Sequence, residues 1–171
     1  LSRSSASSNF THFRLNSNYT VRPIENYVFK LSAAGQYTLN DLLNSEQTGI
    51  TGENAVSGLI SGAVTGDESW YARGQLNREF KLSKKLMISP YVYTAGGTAY
   101  LNQPTATERS ATTAKSIGIG FEISSGDEFF FEKTISAKVE LSKNWATSNI
   151  EDVSDVRLNR QQMLVTMAMR F

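Results

Sequence analysis

"KSIGIGFEI", residues 115–123, sets Ile117, Ile119, Phe121 and Ile123 against Ser116, Gly118, Gly120 and Glu122. A repeat of two belongs to a β-strand, whose side chains alternate between faces, and not to a helix with its period of 3.6. One side of this strand is wholly apolar. The other carries glycine, a hydroxyl and a carboxylate. The fold turns on what the apolar side touches.

The same alternation recurs along the chain, in seven segments altogether. In 10–22, Phe13, Leu15, Tyr19 and Val21 oppose His12, Arg14, Asn16, Asn18, Thr20 and Arg22. In 27–39, Tyr27, Phe29, Leu31, Ala33, Tyr37 and Leu39 oppose Lys30, Ser32, Gln36 and Thr38. In 70–80 the apolar set moves to even positions: Trp70, Ala72, Leu76 and Phe80 stand against Tyr71, Arg73, Gln75, Asn77 and Glu79. Residues 85–101 read as strand without resolving into two faces. In 129–143, Phe131, Ile135, Ala137, Val139 and Leu141 oppose Glu132, Thr134, Ser136, Lys138 and Glu140. The last segment, 157–171, ends on "MLVTMAMRF", with Met163, Val165, Met167, Met169 and Phe171 on every second position. No helical period is sustained anywhere.

Composition narrows the classes. Net charge is +1, from 17 Lys and Arg against 16 Asp and Glu, so nothing directs the chain to nucleic acid. There is no cysteine, hence no disulfide framework and no thiolate metal site. No apolar run reaches the ~20 residues of a membrane helix. A membrane-spanning barrel is still allowed, because only half of each of its strands meets lipid. "LSRSSASSNF" has no apolar core and is read as neither signal peptide nor strand; with no starting methionine, the expectation is a piece of a longer chain.

The connections separate barrel from sandwich. "PIEN", "KLSKK" and "SSGDE" are short, whereas 40–68, "NQPTATERSATTA" and "NWATSNIEDVSDV" are long, in strict alternation. Outer-membrane barrels alternate in this way, with short turns on the periplasmic side and long loops outside. The expected fold is therefore all-β, an antiparallel transmembrane β-barrel with about seven strands here. Apolar faces should point outward, and aromatics near strand ends (Tyr27, Phe29, Tyr37, Trp70, Phe129, Phe131, Phe171) should form interfacial girdles. Phe171, with Met167 and Met169, is expected to be the closing strand and an assembly signal. In a sandwich, the apolar sides would instead pack on a second sheet.

Candidate chemistry is sparse. His12 is the only histidine, and no nucleophile pattern accompanies it. Glu151, Asp152 and Asp155 lack the glycine turn and terminal glutamate of a calcium loop. No enzyme, cofactor or metal is expected. The loop at 40–68 differs from a solvated linker: Gly52, Gly58, Gly62 and Gly66 punctuate it, and Leu42, Leu43, Ile50, Val56, Leu59, Ile60 and Val64 need cover. It is expected to fold back into the barrel with its tip near Ala95.

The segment "AAGQYTLNDLLNSEQTGITGENAVSGLISGAVTGDESWYARGQL" (33–76), followed by "SPYVYTAGG" (89–97), resembles the two-partner secretion transporters, also called TpsB or haemolysin secretion/activation proteins. These belong to one superfamily with the barrel-assembly factor BamA. The resemblance implies that 1–171 is the C-terminal portion of a sixteen-stranded barrel in the Gram-negative outer membrane. The whole protein would secrete an unfolded partner exoprotein without ATP, after assembly by the barrel assembly machinery among outer-membrane lipid. It also implies a lumen loop carrying Gly52, Val56, Ser57, Gly58 and Leu59, facing Tyr93 and Ala95. The family's "VRGY" stands here as Val56, Ser57, Gly58 and Leu59, and its aspartate two residues after Tyr93 is Ala95. Both charges of the family's lumen pair are thus replaced, so the tip is expected to rest on packing and neutral hydrogen bonds. Two other functions fit such a chain: a BamA-like assembly or insertion factor, or a structural or pore-forming barrel without transport.

Overall fold

The computed structural model describes residues 9–83, 86–104, 108–126, 134–150 and 153–170 and, within these, all side chains except those of 126, 134–135, 148–150, 153–162 and 167–170. The chain is all-β. Its strands are β1 (His12–Ile24), β2 (Tyr27–Thr38), β3 (Thr48–Gly49), β4 (Thr65–Gly66), β5 (Glu68–Arg78), β6 (Phe80–Lys81), β7 (Leu86–Tyr100), β8 (Ala111–Gly126), β9 (Thr134–Ile150) and β10 (Val153–Arg170).

The seven long strands form one antiparallel sheet in the order β1-β2-β5-β7-β8-β9-β10, with β6 beside β7. Each long strand thus lies beside its neighbour in the chain, as in an up-and-down barrel. β1 and β10 border the sheet and do not pair with each other, so this is an open, partial barrel. β3 and β4 make a separate two-stranded ribbon inside the connection from β2 to β5.

Period two sorts the side chains into two faces, as in a single pleated sheet. On the open face, Phe13, Leu15, Leu31, Tyr37, Trp70, Leu76, Val92, Ile117, Ile119, Phe121, Leu141 and Met163 are exposed. Apart from Val92 on β7, these are the odd positions of β1, β2, β8, β9 and β10 and the even ones of β5, as the pattern requires. Among the described residues no second sheet packs on Ile117, Ile119 or Phe121, as a sandwich would require. The opposite face is covered by the long loop over 39–67. There Gln36, Arg73, Gln75, Asn77, Ser116, Glu140, Ser142 and Asn144 are buried.

Three readings of the sequence need correction. β7 does have two faces: Ser89, Tyr91, Tyr93, Ala95 and Ala99 are buried on the covered side, while Pro90, Val92 and Thr94 lie on the open side. Its ambiguity arose because tyrosine and alanine stand where neighbouring strands carry charges. In the stretch at 144–156, read as a long loop, the described residues are strand. β9 continues to Ile150 and β10 starts at Val153, with Ile150 opposite Val153. Polar alternation lets this hairpin run on past the apolar band, and its Asn, Ser and Asp content imitates a loop. β8 likewise begins at Ala111, which shortens the loop before it.

Short connections are built as expected of hairpins. Ile24 pairs with Tyr27 around Glu25 and Asn26, and Asn26 adopts φ 66°. Asparagine tolerates this left-handed conformation because its short amide bonds locally. Phe129, Phe131, Glu151, Asp152 and Phe171 lie outside the described residues; Met167 and Met169 belong to β10 by their backbone.

Candidate functional site

The site begins with two glycines. Tyr91 lies opposite Gly120 and Tyr93 opposite Gly118 across the β7–β8 pair. A β-carbon on Gly118 would sit 2.5 Å from Tyr93 Cε1, and one on Gly120 2.5 Å from Tyr91 Cζ. The missing side chains let both rings lie down on β8. This makes a low aromatic platform on the covered face. Over it pack Ile50 and Val56 of the loop, in one buried cluster with Tyr91, Tyr93, Ala95, Ala99 and Ala114.

Beside the platform is a buried ion pair. Arg73 on β5 donates from Nη2 to Glu140 Oε2 on β9 at 2.9 Å, and their side chains are 5% and 0% exposed. The guanidinium lies 3.7 Å over the Tyr93 ring, and Tyr91 donates its hydroxyl to Glu140 Oε2 at 2.8 Å. Two charges held away from water require such partners, because desolvation is otherwise larger than their attraction. Gln75 Oε1 accepts from Arg73 Nη2 at 2.9 Å. Lys138 adds a third charge, 3.6 Å from Glu140 Oε2 and 3.3 Å from Glu53 Oε1 of the loop.

The loop tip enters this pair. Ser57, fully buried, accepts at Oγ from Arg73 Nη1 at 2.6 Å and donates to Glu140 Oε1. Both contacts are charge-assisted, the stronger kind of hydrogen bond. The expectation of neutral hydrogen bonds is therefore corrected. The charges come from strands β5 and β9, and the loop contributes a hydroxyl that joins them. Gly58 follows with φ 82°, and a β-carbon there would collide with Ser142 Oγ and the Asn144 amide. The Gly58 carbonyl accepts from Asn144 Nδ2 at 3.1 Å. Only glycine satisfies both the backbone angle and the space.

The base of the loop is clamped separately. Asp67 is fully buried and accepts from the Leu42 backbone N at 3.0 Å, Gln47 Nε2 at 3.2 Å and the Asn102 backbone N at 3.0 Å. Within the loop, Thr51 bridges Val56, and Thr51 Oγ1 donates to the Ile60 carbonyl at 2.9 Å. A polar cavity of about 120 Å³ remains beside the tip, lined by Lys30, Ser32, Glu53, Asn54, Arg73, Gln75, Glu122 and Lys138.

Of the residues singled out in the sequence, Val56, Ser57, Gly58, Tyr93 and Ala95 are buried on the covered face, Val56 in one cluster with Tyr93 and Ala95. Leu59 packs at the edge of that cluster, and Gly52 turns the loop at its margin with φ 149°. His12 stacks on Phe10 instead, with ring centroids 5.5 Å apart. Arg73 and Glu140 were missed as a pair. Each was visible as a charge on a polar strand face, but 67 residues separate them.

An antiparallel sheet with an apolar outer face and a loop seated on buried charges of its inner face defines a transmembrane β-barrel of the outer-membrane kind. The model of the haemolysin secretion/activation protein family ShlB/FhaC/HecB matches residues 2–123. The chain belongs to that family, one of Gram-negative outer-membrane transporters in two-partner secretion and not of enzymes. No curated protein and no solved structure matches it.

Proposed function

We propose that residues 1–171 form the C-terminal portion of a larger closed barrel that passes an unfolded partner exoprotein across the outer membrane without ATP. In this reading the open face meets lipid, and the loop over 39–67 lies in the lumen. Gly52, Val56, Ser57, Gly58 and Leu59 form the tip that the exoprotein must displace or slide past, with Tyr93 and Ala95 as its seat. Met167, Met169 and Phe171 are the signal that the barrel assembly machinery reads.

One observation carries the reading: a fully buried Ser57 joins Arg73 to Glu140 on the polar side of a sheet whose other side is apolar. A loop that served only as a surface connection would have no need of such an anchor. The test is secretion by the full-length protein in cells that lack another transporter for the same exoprotein. Arg73→Gln combined with Glu140→Gln, which removes both buried charges together, should keep outer-membrane levels within about twofold and lower exoprotein in the medium at least tenfold. Unchanged secretion by variants whose loop has become protease-sensitive would refute the gating role.

A further inference from the structure

The open face is not evenly apolar. On β1, β2, β5 and β7 large apolar or aromatic side chains reach Phe13, Tyr37, Trp70 and Tyr100, near the long-loop ends of the strands. On β8 and β9 the aliphatic run stops sooner, at Ile117 and Leu141. There Lys115 and Lys143 follow, both exposed on the open face. Register places Lys115 directly opposite Trp145, and Lys143 opposite Ile117. The two ammonium-bearing positions are thus diagonal neighbours, with Cβ atoms roughly 7 Å apart. Lys143 Nζ lies 5.4 Å from the centre of the Trp145 ring. Among the described side chains, the ion pairs use Arg22, Lys30, Arg73 and Lys138, and neither of these lysines.

Beside them the sheet surface is hollowed. Ala72, Gly74, Thr94 and Gly96 form a floor of small residues between Leu31 on one side and Ile117, Lys115 and Trp145 on the other, an open depression of about 770 Å³. The hollow shares Gly74, Thr94 and Ile117 with a second of about 960 Å³, walled by Phe29, Leu76, Ile119, Leu141 and Met163. The two make one apolar groove with paired cations on its rim at the long-loop end.

We infer that this groove binds a phosphate-bearing lipid of the outer leaflet, with an acyl chain over Gly74 and Gly96 and a phosphate between Lys115 and Lys143. The complementarity is twofold: small residues at outward positions admit a chain, and two ammonium groups with no ion-pair partner among the described side chains, beside an interfacial tryptophan, accept an anion. Interfacial lysines without such a groove would only reach for the headgroup layer and would not discriminate between lipids.

The inference rests on the barrel reading, and the test separates the two. Full-length protein is purified from the outer-membrane fraction, delipidated, and titrated with bis-phosphorylated lipid A, its dephosphorylated form, or inorganic phosphate, with adducts counted by native mass spectrometry. Lipid A should bind at least tenfold tighter than the dephosphorylated form, and inorganic phosphate should not compete at equal concentration. Lys115→Gln with Lys143→Gln should abolish the preference. Gly74→Leu should weaken binding without touching a charge; a β-carbon there lies 3.9 Å from the nearest Phe29 atoms, so the backbone tolerates the change. Equal binding of both lipids by the parent, or an unchanged preference in the double variant, overturns the site while leaving the barrel standing. Absence of the protein from the outer-membrane fraction overturns both.

Discussion

On β9, Glu140 and Leu141 are neighbours in the chain and point in opposite directions. Glu140 is fully buried, whereas Leu141 is 52% exposed. In a water-soluble sheet the two exposures would be reversed. Across the strand pair the contrast repeats, with Ser116 buried beside exposed Ile117. One face thus pairs and hydrogen-bonds its buried charges under a loop. The other offers aliphatic and aromatic side chains to the surroundings. A soluble monomer rarely leaves so large an apolar surface uncovered, and the function proposed above makes hydrocarbon, not water, the solvent of the open face.

The comparison breaks most severely at the ion pair. Glu140→Ala leaves Arg73 buried without its carboxylate and should cost about 3–5 kcal/mol. Urea unfolding of the protein folded in liposomes reads this out, and restoring neutrality with Arg73→Met should recover a large part of it. On the open face, Ile119→Arg should cost about 2–4 kcal/mol in the same assay, the range for a cation at mid-membrane on a lipid-facing barrel position. The same substitution on a water-facing strand would be nearly silent.

The two faces of β1, β2, β5, β8, β9 and β10 were legible in the sequence, because period two assigns every residue of a regular strand to a side; those of β7 were not, because tyrosine and alanine stand where its neighbours carry charges. What escaped the sequence was non-local. Gly118 and Gly120 read as small residues on a polar face, yet they are the space that Tyr93 and Tyr91 fill from the next strand. That reading requires register, which no local pattern contains. The loop's need for cover was visible in Ile50 and Val56, but its anchor was not, since Ser57 resembles any loop serine until Arg73 and Glu140 are brought to it. Residues 144–156 misled through composition, because a polar hairpin outside the apolar band uses the same residue types as a loop.

Smaller effects sharpen the contrast within the covered face. Ser57→Ala removes hydrogen bonds to two charged groups and should cost about 1.5–3 kcal/mol of loop docking. Limited proteolysis between residues 50 and 60 should then run at least tenfold faster, with global unfolding little changed. Lys30→Gln should cost under about 1 kcal/mol, since its pair with Glu122 at 3.6 Å is partly solvated.

The central claim is that alternate residues of one strand meet lipid and a protein-filled interior. Single cysteines at 116 to 121, in a background free of other cysteines, carry spin labels into the full-length protein in liposomes, where collision with oxygen and with a water-soluble nickel chelate is measured. The account predicts high oxygen and low nickel accessibility at 117, 119 and 121, and low accessibility to both at 116, 118 and 120. Nickel accessibility at 117, 119 and 121 equal to that of a solvated loop would contradict it.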